Sequence, residues 1–236
     1  MAAVVKFGAG AWREADAPVR YNIYRAIHKG LRGFMSDTLV RVGRMDVNDD
    51  CERGQAIEQL RGLLAMCAGH LAHENEFLHP AIEVAEAGGA EHTATDHVGH
   101  LVAIRTLEQQ VAQFESVPSS RRAVLAAELY IDLSNFVAEN FEHMAVEETH
   151  NHALLTRRFS DDELLEIEHR IVASMTPEEL MVDLRWMLPH INADERAAML
   201  GGMKRGAPPE VFGGVMALAR DVLTQRDFYK LERALA

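Results

Sequence analysis

The residue types best able to hold a metal ion recur twice in this chain at one spacing. His70 and Glu74 stand four apart within His-Leu-Ala-His-Glu-Asn-Glu-Phe-Leu-His-Pro-Ala-Ile (70–82). His143 and Glu147 stand four apart within His-Met-Ala-Val-Glu-Glu-Thr-His-Asn-His-Ala-Leu-Leu (143–155). Overlaid without gaps, the stretches share His70/His143, Ala72/Ala145, Glu74/Glu147 and His79/His152. Residues four apart on a helix lie on one face, with Cβ atoms about 6 Å apart. Each pair can therefore turn an imidazole and a carboxylate toward one ion, and two pairs on two helices can hold two ions between them. Burying a carboxylate alone is costly unless it is paired or bound to a cation, so two buried glutamates among imidazoles point to cations in the same place.

Such pairs need helices to present them, and hydrophobic periodicity supplies four. After an irregular lead-in over 1–17 and Pro18 at a first helical turn, a stripe runs through Tyr21, Tyr24, His28, Leu31, Met35, Leu39 and Val42. Its steps of three and four mark the buried face of a helix, with His28 where Leu would be expected. A second helix is predicted over 51–87, with the seam Leu60, Leu63, Cys67, His70, Glu74, Phe77 and Ala81, a kink at Pro80 and a stop at Gly88-Gly89. Thr95 or Asp96 suits the cap of a third helix, whose seam reads equally well through His97 or through His100. The fourth, over 120–157, has the seam Leu129, Leu133, Phe136, Asn140, His143, Glu147, His150 and Leu154. Four long helices with short connections predict an all-α, up-down four-helix bundle, each helix placing a histidine on its inward stripe near mid-length.

Beyond about residue 158 the character changes. Ser160-Asp-Asp-Glu163, Thr176-Pro-Glu-Glu179 and Asn192-Ala-Asp-Glu195 are helix starts of the capping-box kind, and Pro208-Pro209 opens a further helix. The expected division is a metal-binding bundle over 18–158 and a C-terminal extension of about five shorter helices over 159–236, without ligand spacing. His169 and His190 read as surface or capping residues, and Trp186, Met187 and Leu188 as residues packing on the bundle.

The bulk properties narrow the partners. A net charge of −12 over 236 residues argues against nucleic acid, which needs a basic surface to displace counterions, and against an anionic membrane. No apolar run approaches the ~20 residues of a membrane span, and residues 1–7 lack the hydrophobic core of a signal peptide. Two cysteines, Cys51 and Cys67, make no disulfide framework; Cys67 reads as a small buried hydrophobe. The expected location is the cytoplasm.

A ferritin-like arrangement, with Glu-x-x-His on two helices and a glutamate from each of the others, is the rival reading. Glu76-x-x-His79 and Glu147-x-x-His150 satisfy it locally but fall out of register in the overlay, and no glutamate lies between Glu14 and Glu52 for the first helix to donate. The ordered set formed by His28 in Arg-Ala-Ile-His-Lys-Gly-Leu-Arg, His70/Glu74, Asp96-His97 and His143/Glu147 resembles the hemerythrin-like (HHE cation-binding) family over roughly 20–158. The resemblance implies two non-heme iron ions bridged by Glu74 and Glu147, capped by His28, His70, His143 and a third-helix histidine, His97 or His100 or both, with an oxo or hydroxo group completing the bridge. His150 falls to the surrounding pocket or to the ligand set and Tyr24 to the pocket, while His73, His79, His92 and His152 lie off the seams and are expected in solvent. Imidazole and carboxylate without thiolate also suit zinc or manganese.

Three functions follow as expectations. The first is binding or sensing of a small ligand such as O2, NO or peroxide. The second is a diiron oxidase, peroxidase or NO-reducing enzyme, with Tyr21, Tyr24 and Tyr130 as electron donors. The third is an iron-handling or regulatory module whose extension contacts a protein partner.

Overall fold

The computed structural model describes residues 20–236; the lead-in and Pro18 lie outside the described residues. All regular structure among them is helical. The bundle is built from α1 (Arg25–Arg44), α2 (Asp50–His73) continued through a π turn (Glu74–Leu78) into α3 (His79–Ala85), α4 (Glu91–Ser116), and α5 (Ser119–Val146) continued through a second π turn (Glu147–Asn151) into α6 (His152–Arg158). Five shorter helices follow: α7 (Asp161–Ser174), α8 (Pro177–His190), α9 (Ala193–Gly206), α10 (Pro209–Val222) and α11 (Gln225–Leu235).

The apolar stripes meet as their spacing predicts. Leu31, Met35, Leu60, Leu63, Leu64, Leu107, Val111, Phe114, Leu129, Leu133 and Phe136 form one core at one end of the bundle. Tyr24, Leu78, Ile82, Leu154 and Leu155 form a second at the other, joined by Leu164 and Ile167 of α7. The candidate ligands lie between the two.

Two helix starts differ from the sequence reading. Tyr21 precedes α1: Asn22 turns the chain by accepting Tyr24 N–H at its Oδ1, 3.1 Å away, and the helix begins only at Arg25. Thr95 and Asp96 lie inside α4 rather than at its cap. The amides of Gly88 and Ala90, which precede that helix, donate instead to the Glu83 carboxylate at 2.8 and 3.0 Å, which leaves Asp96 available elsewhere. Gly88 itself has φ +78°, a conformation that suits glycine at this reversal.

The three capping boxes form as read, at Ser160, Thr176 and Asn192. Helices α8–α11 share a core of their own around Leu184, Leu188, Leu200, Val215 and Leu231. They also dock on the bundle, because α8 lies along α1. Trp186 stacks on Phe34 with ring centroids 3.9 Å apart, and Lys29 Nζ binds both Glu195 oxygens at 2.7 Å. A Cβ at Gly30 would stand 3.0 Å from Met187 Cγ and 3.1 Å from Met187 N, and one at Gly33 would strike the His190 ring. Glycine at these positions lets the two helices approach closely.

Candidate metal centre

The two His-x-x-x-Glu pairs face each other across the bundle, joined by one histidine from each remaining helix. One donor group consists of His28, His70, Glu74 and Glu147, the other of Glu74, His97, His143 and Glu147; within each, the ligand atoms all lie within 4.8 Å of one another. On the first side, His28 Nε2 is 3.2 Å from His70 Nε2, 3.7 Å from Glu74 Oε1 and 3.5 Å from Glu147 Oε2, while His70 Nε2 is 3.2 Å from Glu74 Oε1. On the second, His97 Nε2 is 3.0 Å from His143 Nε2, 3.5 Å from Glu74 Oε2 and 3.8 Å from Glu147 Oε1, and His143 Nε2 is 3.3 Å from Glu147 Oε1. Donors about 2.1 Å from a common ion stand roughly 3–3.5 Å apart, close to the 3.0–3.8 Å seen here.

The chemistry of the donors fits a cation. All four oxygens of Glu74 and Glu147 are buried and accept no hydrogen bond, an arrangement costly without positive charge beside it. In the metal-free chain the imidazoles of His28 and His143, whose pKa values are raised, favour that charge. Burial and the neighbouring Glu74 push the Glu147 pKa up, yet the imidazoles of His143 and His97 beside it hold it below the usual value. Burial likewise raises Glu74, and His70 and His28 bring it well below. Burial acts against charge on His28, but Glu148 and Glu74 lift its pKa to about 9; His143 is raised against burial chiefly by Glu147.

Outer partners orient the rings. His28 Nδ1 is 3.1 Å from Glu148 Oε1, a carboxylate that also pairs with Arg32. His97 Nδ1 is 2.8 Å from Asn75 Oδ1, and His143 Nδ1 is 3.1 Å from Asp96 Oδ2. Each contact fixes the tautomer that turns an Nε2 lone pair inward and raises its basicity. The side chain following each central glutamate, Asn75 or Glu148, thus serves the histidine of a different helix. Sequence reasoning missed both as outer partners. Their only trace was a shared position in the overlay, immediately after Glu74 and Glu147. Asp96 was visible beside His97 but serves His143.

The π turns correct the seams beyond the glutamates. An extra residue in the turn, marked by His79 N–H donating to Glu74 O and His152 N–H to Glu147 O, advances the helix phase by about 100°. Leu78 and His79, rather than Phe77 and Ala81, become buried after Glu74. After Glu147 the buried pair is Asn151 and His152, while His150 is exposed. His150 therefore does not reach the centre, and His79 and His152, expected in solvent, are buried. His79 stacks on His97 with centroids 4.7 Å apart, and Asn151 Nδ2 donates to Thr93 Oγ1 at 3.2 Å. His92 is exposed, as expected, and His73 is half-buried.

His100 is buried next to the second group, its ring 4.8 Å from that of His143, but contributes no atom to either donor group. Burial and the charges of His143 and His97 press its pKa down to about 4. Tyr24 is fully buried with its ring 5.4 Å from His28. Burial, then Glu147 and Glu74, raise its hydroxyl well above the ordinary value. Tyr130, by contrast, lies at the surface against Gly43, away from the centre.

Among the described residues no helix is long and apolar enough to cross a membrane. The family model described as the Hemerythrin HHE cation binding domain matches residues 19–155. No curated protein and no solved structure matches the chain significantly.

Proposed function

This chain belongs to the hemerythrin HHE cation-binding domain family, and we propose that it is a non-heme diiron protein that binds or senses a small ligand such as O2, NO or peroxide. The observation that carries the reading is the division of Glu74 and Glu147, each turning one oxygen toward each pair of histidines. His28 and His70 would terminate one ion, His97 and His143 the other, and the two carboxylates would bridge them. Iron bound there would supply reversible redox and ligand-binding chemistry. The chain itself orients four imidazoles, excludes bulk water with the two flanking apolar cores, and favours a proton on His28 and His143 when the ions leave. With two histidines and two shared carboxylates at each ion, the protein ligands leave positions for an exogenous molecule. Zinc and manganese accept the same donors, and the bridged, histidine-rich set favours iron.

The test is stopped-flow absorbance of the diferrous chain mixed with O2, NO or peroxide. Spectral changes with one or more of them support binding; no change with any of the three would defeat it. A turnover enzyme is the second reading, favoured by the buried Tyr24 phenol beside the bridging carboxylates. Sustained turnover with an added reductant would favour that reading, and a reaction stopping at one equivalent would favour binding. The free Cys51 and Cys67 agree with a cytoplasmic site of action. Residues 18–158 act in this proposal as the metal-binding unit. The helices over 159–236 are an extension available to a protein partner on their outer faces.

A further inference from the structure

Three of the four metal-facing imidazoles have their outward nitrogen held from within the bundle: His28 by Glu148, His97 by Asn75 and His143 by Asp96. The fourth, His70, forms no hydrogen bond at Nδ1 among the described residues. It is also the most open of the four, its side chain 13% exposed against 0%, 2% and 4% for His28, His97 and His143. The centre is therefore incomplete on one side, if only the bundle is considered.

Helix α8 of the extension lies over that side. It runs parallel to α1, since Met187 meets Gly30 and His190 meets Gly33 three residues further along both helices, and it also touches α2. One turn before Met187 the same face of α8 carries Asp183. This carboxylate is largely withdrawn from solvent yet makes no hydrogen bond or ion pair among the described residues. Burial raises its pKa to about 6, and the charge that works against this rise is that of His70. An acceptor without a donor thus lies on the helix that packs against α2, whose His70 has no outer acceptor.

We propose that Asp183 is the outer carboxylate of His70, accepting its Nδ1–H across one bridging water while Nε2 faces the metal, so that the C-terminal helices complete the metal centre. A carboxylate behind a ligating histidine fixes its tautomer and strengthens it as a donor, and a bridging water serves nearly as well as direct contact. The Gly30 and Gly33 contacts, the Phe34–Trp186 stack and the Lys29–Glu195 pair hold α8 at the height that makes this possible. Asp183 is a positioning residue, acting on the ion through His70. The inference rests on the dinuclear reading above.

The test uses the full chain, stripped of metal and titrated anaerobically with ferrous ions against a chromogenic ferrous chelator. The wild-type chain is expected to take up two ions. Asp183→Asn should weaken one of the two by about 10–100-fold and leave the other unchanged, and Asp183→Glu should restore most of the loss. The melting temperature of the metal-free variant should match that of the wild type. Equal affinities in wild type and Asp183→Asn would overturn the proposal, as would equal weakening of both ions accompanied by a lower metal-free melting temperature. A wild-type chain that takes up no ferrous ion would overturn the dinuclear reading first, before any variant is compared.

Discussion

Glu74 and Glu147 are mirror images in what their oxygens face. Glu74 turns Oε1 to His70 at 3.2 Å and Oε2 to His97 at 3.5 Å; Glu147 turns Oε1 to His143 at 3.3 Å and Oε2 to His28 at 3.5 Å. In the proposed centre a carboxylate shared in this way would belong to two ions, whereas each histidine would belong to one. Glu74→Gln or Glu147→Gln should therefore lower the affinity for both ions, and His28→Ala or His143→Ala chiefly for one. Elemental analysis of each purified variant checks this. Loss of only one ion from both glutamine variants would mean that the carboxylates do not bridge.

The third helix separates His97 from His100. His97 Nε2 stands among the donors, while His100 contributes no atom to either group. His97→Ala should cost one ion per chain, and His100→Ala should retain both. Metal-to-chain ratios of the two variants decide the matter; metal loss on removing His100 with retention on removing His97 would reverse the assignment.

The metal-free and metal-loaded chains should respond to pH in opposite directions. In the metal-free chain Glu148 and Glu74, acting against burial, raise His28 from 6.5 to about 9. A raised folded-state pKa stabilises fully below the unfolded value and is lost as pH climbs through the folded one. The stripped chain should lose stability between pH 6.5 and 9, by about 3 kcal/mol from His28 as an order of magnitude. Metal binding needs neutral imidazoles and releases protons, so affinity should rise over the same window. Denaturant midpoints of stripped and loaded protein across that range provide the check; a stripped chain that gains stability with rising pH would contradict it.

Close approach of α8 to α1 makes Gly30 sensitive to any side chain. Gly30→Val would drive a methyl group into the Met187 backbone, whose nitrogen would stand only 3.1 Å from a Cβ at this position. Overpacking of this kind costs about 1–3 kcal/mol, measurable as a shift in the urea midpoint. No shift would mean that α8 can move away freely.

Much of the centre was legible in the sequence because a helix places residues four apart on one face. The pairs His70/Glu74 and His143/Glu147, and His28 on its stripe, could be read from spacing alone. Asn75, Glu148 and Asp96 were harder to place, because each serves a histidine on a different helix and only the packed bundle brings them together. The π turns hid as well: an inserted residue leaves no periodic mark, so the seams read onward from Glu74 and Glu147 went to Phe77 and His150 instead of His79 and Asn151. The one trace was the matching of His79 with His152 in the overlay, two residues that follow equivalent π turns and are both buried. The choice between His97 and His100 could not be made from spacing because both are buried on α4. Only the direction of each ring separates them.

The most direct measurement is the iron content of the chain purified from iron-replete cells, taken together with that of Glu74→Gln. Two iron ions per chain in the wild type, and loss of both in the variant, are the expected result. A wild-type chain with one ion or none, or a Glu74→Gln chain that still carries two, would contradict a centre built on shared glutamates.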